Sequence, residues 1–233
     1  MKDATILEAG GRPFGHFPPS DQLAALIASR LCHDLISPIG AIGNGLELLH
    51  FSPQVQKIAH SPEVQLIADS VAAARSRINW FRVAFGQATP KQNLAAAAFK
   101  ELLDDADCNG RMRIRCELES DLPRIEARLI LLSLMCLESA MPWGGRVLVC
   151  RSENRWRLVA EAERIKHDTI LWGWLDHDAV PRLPMPAPSD IHFALLATCL
   201  RNLDCKLHWE LGETGGEISF CNLHVPPTDS SIR

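Results

Sequence analysis

A histidine followed directly by a carboxylate lies within a strongly periodic apolar segment of this 233-residue chain. These residues are His33 and Asp34, in the sequence SRLCHDLISPIG at residues 29–40. Neutral imidazole is a good nucleophile near pH 7, and an adjacent carboxylate can orient it or balance its charge. A histidine on a helix surface is more often only a solvated side chain. The choice between a nucleophile and a solvated side chain therefore depends on the helix that carries His33.

The periodicity around His33 predicts one long helix over residues 21–50. At about 100° per residue, His33 falls about 160° from Leu35, almost opposite a narrow apolar stripe that is centred near Leu35. Pro38 lies inside this segment and is expected to kink the helix. An imidazole with small or polar neighbours on the outer face of a helix is accessible to another protein. The stripe consists of Leu31, Leu35, Ile39, Ile42, Leu46 and Leu49, and the neighbours of His33 are Ser29, Ser37, Gly40 and Asn44.

A second periodic segment predicts a helix from residue 62 to about residue 85. Ser61 and Pro62 have the cap-then-proline pattern of a helix start, and Gly86 ends the segment. Two long helices joined by a short connection form an antiparallel hairpin, which cannot bury its apolar stripe alone. We therefore expect two copies of the chain to form a four-helix bundle. The alternative is that the hairpin packs on the rest of its own chain.

The remaining sequence alternates predicted helices and strands, which indicates an α/β sandwich. A linker at residues 87–93 precedes it. The expected organisation is a flexible arm at residues 1–19, a helical hairpin at residues 20–88 and an α/β domain at residues 93–225. The predicted helices cover residues 94–103, 123–140, 170–174 and 189–203, and the predicted strands cover residues 113–118, 146–151, 155–161, 206–211 and 217–222.

The composition argues against several classes of partner. A net charge of −4 gives no basic footprint for nucleic acid. No apolar segment approaches the length of a membrane span, and no signal pattern is present, so a cytoplasmic protein is expected. The eight cysteines form no Cys-x-x-Cys pair and have no zinc-finger spacing. They are interpreted as small core residues in a reducing compartment, and no metal site is expected.

The pattern His-Asp-Leu-x-x-Pro at residues 33–38 resembles the H-box of histidine kinases. With the small and apolar segment at residues 39–49, it is similar to the ChpT family of alphaproteobacterial histidine phosphotransferases. The resemblance is strong over residues 21–50 and consistent in layout to about residue 224. It implies an α + α/β fold, in which an N-terminal helical hairpin forms a four-helix bundle in a homodimer. A histidine-kinase-ATPase-like α/β sandwich follows the hairpin.

The resemblance also implies a function, a phosphorelay in a two-component system that serves the cell cycle. His33 would take a phosphoryl group from a receiver-domain aspartate and pass it to the aspartate of a response regulator. The implied partners are the receiver of a hybrid histidine kinase of the CckA type and response regulators of the CtrA and CpdR types. Magnesium would belong to the receiver. Arg30 would steady phosphate oxygens or be a solvated charge, and Asp34 would orient the imidazole or balance its charge. The docking surface would include Ser29, Ser37, Gly40 and Asn44.

The second domain lacks the residues with which the kinases bind ATP. By resemblance, these are an asparagine on the long helix, an Asp-x-Gly-x-Gly motif and a glycine-rich lid. Residues 131–140 contain no asparagine, residues 159–164 contain no glycine, and residues 180–188 contain four prolines. Because proline has no N–H to offer phosphate, we expect no ATP binding. The alternatives are an ATP-dependent histidine kinase with divergent motifs and a non-catalytic receiver-binding module.

Overall fold

The computed structural model describes residues 28, 35–37, 39–49, 61–89, 92–107, 112–152, 155–176, 183–221 and 223. Residues 35–37 and 39–49 are helical and are called α1. The predicted second helix is confirmed as α2 (Pro62–Ala84), which begins where the Ser61 side chain accepts a hydrogen bond from the Val64 amide. A Cβ on Gly86 would collide with the Arg82 carbonyl oxygen, so the turn that ends α2 requires glycine.

Helices and strands alternate through the rest of the described chain, which confirms the predicted α + α/β class. The first elements are β1 (Asn93–Leu94), α3 (Ala96–Asp107), β2 (Met112–Glu117), β3 (Leu122–Pro123) and α4 (Arg124–Ala140). They are followed by β4 (Gly145–Ser152), β5 (Arg155–Glu161), α5 (Thr169–Gly173), a 3₁₀ turn (Pro188–Asp190), α6 (Ile191–Asn202), β6 (Leu207–Leu211) and β7 (Gly215–Cys221).

The main sheet has five strands in the order β2-β4-β5-β7-β6. The pair β2–β4 is parallel and is joined by a crossover through α4, whereas the other neighbouring pairs are antiparallel. The predicted hairpins β4–β5 and β6–β7 are confirmed. This layout confirms the α/β architecture that the sequence predicts for this part of the chain.

The helix predicted over residues 94–103 is present, but its bounds were wrong, because α3 covers residues 96–107. Residues 93–94 pair instead with residues 122–123 as the small antiparallel sheet β1–β3. The Ala96 N–H then donates to Asp121 Oδ1 at 3.0 Å, so a residue that is distant in sequence fixes the start of the helix.

One apolar core joins α2 to the α/β elements. Most side chains of α4 are buried, and α4 packs between the sheet and helices α2 and α6. Trp80, Val83 and Ala84 of α2 lie in this same core. Arg77 of α2 also forms an ion pair with Glu138 of α4, with Nη1 and Oε2 3.2 Å apart. The second half of α2 therefore belongs structurally to the α/β part of the chain.

Candidate functional site

The structure places three of the seven predicted site residues. His33, the predicted nucleophile, lies outside the described residues, as do Ser29, Arg30 and Asp34. Their roles stay predictions from the sequence. The other three, Ser37, Gly40 and Asn44, lie on α1.

No described residue covers the α1 face that carries these three residues. Ser37 and Asn44 are exposed, and a Cβ added to Gly40 would meet no atom of the described ranges within 4 Å. Gly43 is buried on another face, where an added Cβ would lie 3.6 Å from Val71 Cγ1 and 3.4 Å from Arg75 Nη1 of α2. The wheel angles of Ser37, Gly40 and Asn44 all fall within about 40° of the angle predicted for His33.

Large apolar side chains are exposed on both α1 and α2. Within the predicted stripe, Leu35, Ile42 and Leu49 are 48%, 51% and 38% exposed. Leu66 and Ile67 of α2 are 68% and 47% exposed. The spacing of Leu35, Ile42 and Leu49 by seven residues is typical of a helix-packing seam.

Arg82, Arg124 and Arg128 lie together where α2 ends and α4 begins; we call these three residues the arginine cluster. Arg124 Nη2 donates to the Arg82 carbonyl at 3.2 Å, and Arg124 Nε donates to the Gln87 carbonyl at 3.3 Å. Burial lowers the pKa of Arg124, and the positive charges of Arg82 and Arg128 lower it further. Sequence reasoning missed this cluster because nothing local in the sequence signals a meeting between positions 82 and 124.

Helices α4 and α6 pack directly against each other. Ser139 Oγ of α4 lies 3.2 Å from His192 Nε2 of α6. Trp172 and Phe193 are buried beside them, with ring centroids 5.5 Å apart. The stretch of α4 where the kinases place their asparagine carries buried apolar side chains, Leu131, Leu132 and Leu134 among them.

An open cleft of about 810 Å³ lies at the end of the sheet where β4 begins and β5 ends. Trp143 on its rim is 62% exposed, and the Arg164 guanidinium lies 4.9 Å from the Trp143 ring centroid. The described side chains include no cluster of His, Cys, Asp or Glu that could hold a metal ion. None of the helices in the described ranges is long and apolar enough to cross a membrane.

Comparison with known proteins gives the family. Residues 96–215 match the family described as the histidine phosphotransferase C-terminal domain. The chain is also 34% identical over 136 residues to the protein phosphotransferase ChpT of Brucella abortus (strain 2308). That match covers 54% of this chain and 59% of the relative.

A solved structure of a bacterial phosphotransferase has the same fold. Its TM-score is 0.60 at 24% sequence identity, and the match covers 88% of this chain and 98% of the other. With more than half of its residues in the family match, the chain belongs to the histidine phosphotransferase family. This confirms the resemblance to ChpT that the sequence indicated.

Proposed function

We propose that this chain is a histidine phosphotransferase that relays a phosphoryl group between receiver-domain aspartates through His33. Membership in the histidine phosphotransferase family is the observation that carries the proposal. The open α1 face with Ser37, Gly40 and Asn44 supports it, because a docking receiver needs access to the helix beside the reacting imidazole. The receivers would be of the CckA, CtrA and CpdR types, and the relay would operate in the cytoplasm.

The transfer consists of one exchange of bonds at phosphorus. An unprotonated ring nitrogen of His33 attacks the phosphorus of an aspartyl phosphate, a nitrogen–phosphorus bond forms, and the bond from phosphorus to the aspartate oxygen breaks. The aspartate leaves as a carboxylate, and the other ring nitrogen of His33 keeps its proton during the attack. The second receiver reverses these steps with its own aspartate. Positioning and charge neutralisation supply most of the catalysis in such reactions.

The exposed apolar seam on α1 and α2 supports a homodimeric four-helix bundle as the working form. Leu35, Ile42 and Leu49 would be covered by the same helices of a second copy. In a dimer with two-fold symmetry, each chain contributes the same patch to the interface, so the apolar residues of one chain would cover those of the other.

The α/β part would act without ATP. The absence of the three ATP-binding motifs supports this interpretation: residues 131–140 contain no asparagine, residues 159–164 contain no glycine, and residues 180–188 contain four prolines. This part would help hold the receiver, and the exposed Trp143 with its stacked Arg164 is a suitable contact.

The test is transfer of radiolabel from a phosphorylated receiver domain to the full-length protein. We expect label on the wild type and on the control His208→Ala, which changes an exposed histidine of β6, but none on His33→Ala. Labelling of His33→Ala at the wild-type rate would assign the chemistry to another residue.

Incubation with ATP and magnesium separates the proposal from the kinase alternative. We expect no labelling from ATP alone and no calorimetric binding at millimolar nucleotide. ATP-dependent labelling of His33 would make the chain a kinase. If receivers bind but no phosphoryl group transfers, the chain is a non-catalytic receiver-binding module.

A further inference from the structure

The arginine cluster carries three positive charges without an acidic partner among the described residues. Arg77 and Arg157 each form an ion pair with a glutamate, whereas the three arginines of the cluster form none within the described ranges. The Nε atom of Arg128 is buried and has no hydrogen-bond partner in that part of the chain. Burial and then the positive charges of Arg82 and Arg128 lower the pKa of Arg124, so the neighbours of this guanidinium repel it. An acidic ligand would remove this repulsion.

The start of α4 adds to this positive potential. The N–H groups in the first turn of a helix carry a partial positive charge, so acidic side chains are favourable there and basic ones are not. In α4 the first residue is Arg124, Arg128 follows one turn later, and no side chain caps the helix. Glu126, the acidic residue of that turn, is buried and already accepts hydrogen bonds from Trp156 and Leu223. This arrangement costs free energy in the single chain, which is expected where a partner supplies the negative charge.

Arg124 holds the cluster in place through hydrogen bonds to backbone atoms. It donates from Nη2 to the Arg82 carbonyl and from Nε to the Gln87 carbonyl, and these bonds tie the end of α2 to the first turn of α4. Since they use the carbonyl of Arg82 and not its side chain, the exposed Arg82 guanidinium is available to a ligand from outside. A surface that is already held in its binding geometry loses less entropy when it binds.

The cluster lies close enough to the α1 face with Ser37, Gly40 and Asn44 for one protein domain to contact both. Gly43 of α1 packs against Val71 of α2. From these two residues, Ser37 lies about 9 Å away along α1 and Arg82 about 16 Å away along α2. Packed helices are about 8–10 Å apart, so less than about 30 Å separates Ser37 from Arg82, whichever way the helices run. A compact domain of about 100–150 residues is about 35 Å across.

We propose that the arginine cluster is a docking site for the acidic surface of a receiver domain that also contacts the α1 face. A receiver binds Mg²⁺ beside its phosphorylated aspartate, and Mg²⁺ is held by carboxylates, so this part of a receiver is rich in negative charge. Arginine binds carboxylates through parallel, charge-assisted hydrogen bonds. No bond is made or broken at the cluster, which increases the affinity and the association rate of the receiver. This inference rests on the proposed function, because that function requires a receiver as partner.

The test measures transfer of radiolabel to the full-length protein at increasing concentrations of a phosphorylated receiver domain. Arg82→Glu reverses one charge of the cluster and keeps the carbonyl that Arg124 contacts. We expect it to raise the KM for the receiver about tenfold at low salt with kcat unchanged, and expect high salt to remove most of the difference, because salt screens exposed charges. Arg82→Gln, which only removes the charge, should give an intermediate KM. Lys206→Glu is the matched control, because it reverses an exposed charge just before β6, and it should keep the wild-type KM.

Calorimetric titration with the unphosphorylated receiver gives a result that does not depend on transfer. Arg82→Glu should bind the receiver about tenfold more weakly than Lys206→Glu does at low salt. Equal affinities of these two variants, a difference that salt does not reduce, or a wild type that binds no receiver would overturn the proposal. A lower kcat for Arg82→Glu at saturating receiver would also contradict it, since the cluster would then act in the chemical step. If only the proposed function fails, the wild type binds the receiver without accepting label, and the difference in affinity between the two variants remains.

Discussion

Glu126 is a fully buried carboxylate near the start of α4, and both of its oxygens accept hydrogen bonds. Trp156 Nε1 donates to Oε2 at 2.8 Å, and the Leu223 N–H donates to Oε1 at 2.7 Å. Buried carboxylates are tolerated when they are satisfied in this way. Glu126 thereby connects α4 to strand β5 and to residue 223, close to the end of the chain.

We expect Glu126→Gln to destabilise the fold by about 1–3 kcal/mol. The glutamine amide group would place an N–H donor against the N–H of either Trp156 or Leu223, and one buried donor would lose its acceptor. Urea unfolding of the full-length protein measures the change. Glu119→Gln, at an exposed position, is the matched control and should leave the midpoint unchanged. Equal midpoints for the two variants would mean that these buried hydrogen bonds contribute nothing.

His192 should make the stability depend on pH. Burial lowers its pKa, although Asp190 and Glu138 nearby oppose the shift and Arg77 adds to it. Below the ordinary histidine pKa of about 6.5, the unfolded chain binds a proton that the folded chain resists. The contribution of His192 is therefore complete above that value and is lost as the pH falls toward the lowered pKa of the folded state.

Urea unfolding of the wild type and of His192→Gln, measured between pH 7.5 and pH 5, tests this expectation. The wild type should lose stability more steeply than the variant, by at most about 1.4 kcal/mol per pH unit. Parallel curves would remove His192 as the cause, and a shallower wild-type curve would reverse the sign of its pKa shift.

At the scale of elements, the sequence predicted the helix ends that neighbouring residues determine, and it missed the features that depend on contacts between distant residues. Ser61, Pro62 and Gly86 define the ends of α2, and the sequence contains all three signals. The strand pair β1–β3 has only two residues on each strand, which is too short for any periodicity. The start of α3 depends on Asp121, and the arginine cluster on a contact across 42 positions, so neither is visible without the fold.

In the candidate site, too, the sequence predicted the features set by local residues and missed those set by contacts between helices. Helical periodicity alone predicted that Ser37, Gly40 and Asn44 share a face, and the structure places all three on α1, with no described residue within 4 Å of a Cβ at Gly40. The sequence also predicted the apolar stripe. It could not indicate that Gly43 is the position where α1 meets α2, because three neighbouring glycines at 40, 43 and 45 look alike in sequence.

Those glycines supply a matched test of the docking face. Among the described residues, a Cβ at Gly40 or at Gly45 would meet no atom within 4 Å, so a side chain can start at either position without a clash there. On the helical wheel, Gly40 lies about 20° from the predicted angle of His33, whereas Gly45 lies about 120° away. We expect Gly40→Leu to slow transfer from a phosphorylated receiver by roughly tenfold or more, since a clash at a packed interface costs about 1–3 kcal/mol.

Gly45→Leu should transfer at the wild-type rate, and circular dichroism should report the same helix content for both variants. Equal rates for the two leucine variants would place receiver docking on another face of α1.

At the scale of the whole molecule, the helical and α/β parts are joined through α2. Trp80, Val83 and Ala84 are buried in the common core, and Arg77 contacts Glu138 across the junction. A chain cut near residue 88 would expose these apolar side chains. The contribution of the α/β part to receiver binding is therefore better tested by point substitutions at Trp143 or Arg164 than by truncation.

The exposed seam predicts how the molecule assembles. Ile42 lies near the middle of the stripe and is 51% exposed in the single chain, so an aspartate there would remain solvated as long as the chain is a monomer. In a four-helix bundle the same carboxylate would be buried without a partner, at a cost of several kcal/mol for each copy. Ile42→Asp should therefore prevent assembly and leave the fold of each chain intact.

Leu48→Asp is the matched control, because Leu48 is 69% exposed and lies about 140° from Leu35 on the helical wheel. Sedimentation at low micromolar concentration should give twice the chain mass of 25.8 kDa for the wild type and for Leu48→Asp, and the single chain mass for Ile42→Asp. A wild type that sediments as a folded monomer, or an Ile42→Asp variant that stays dimeric, would rule out the seam as the dimer interface.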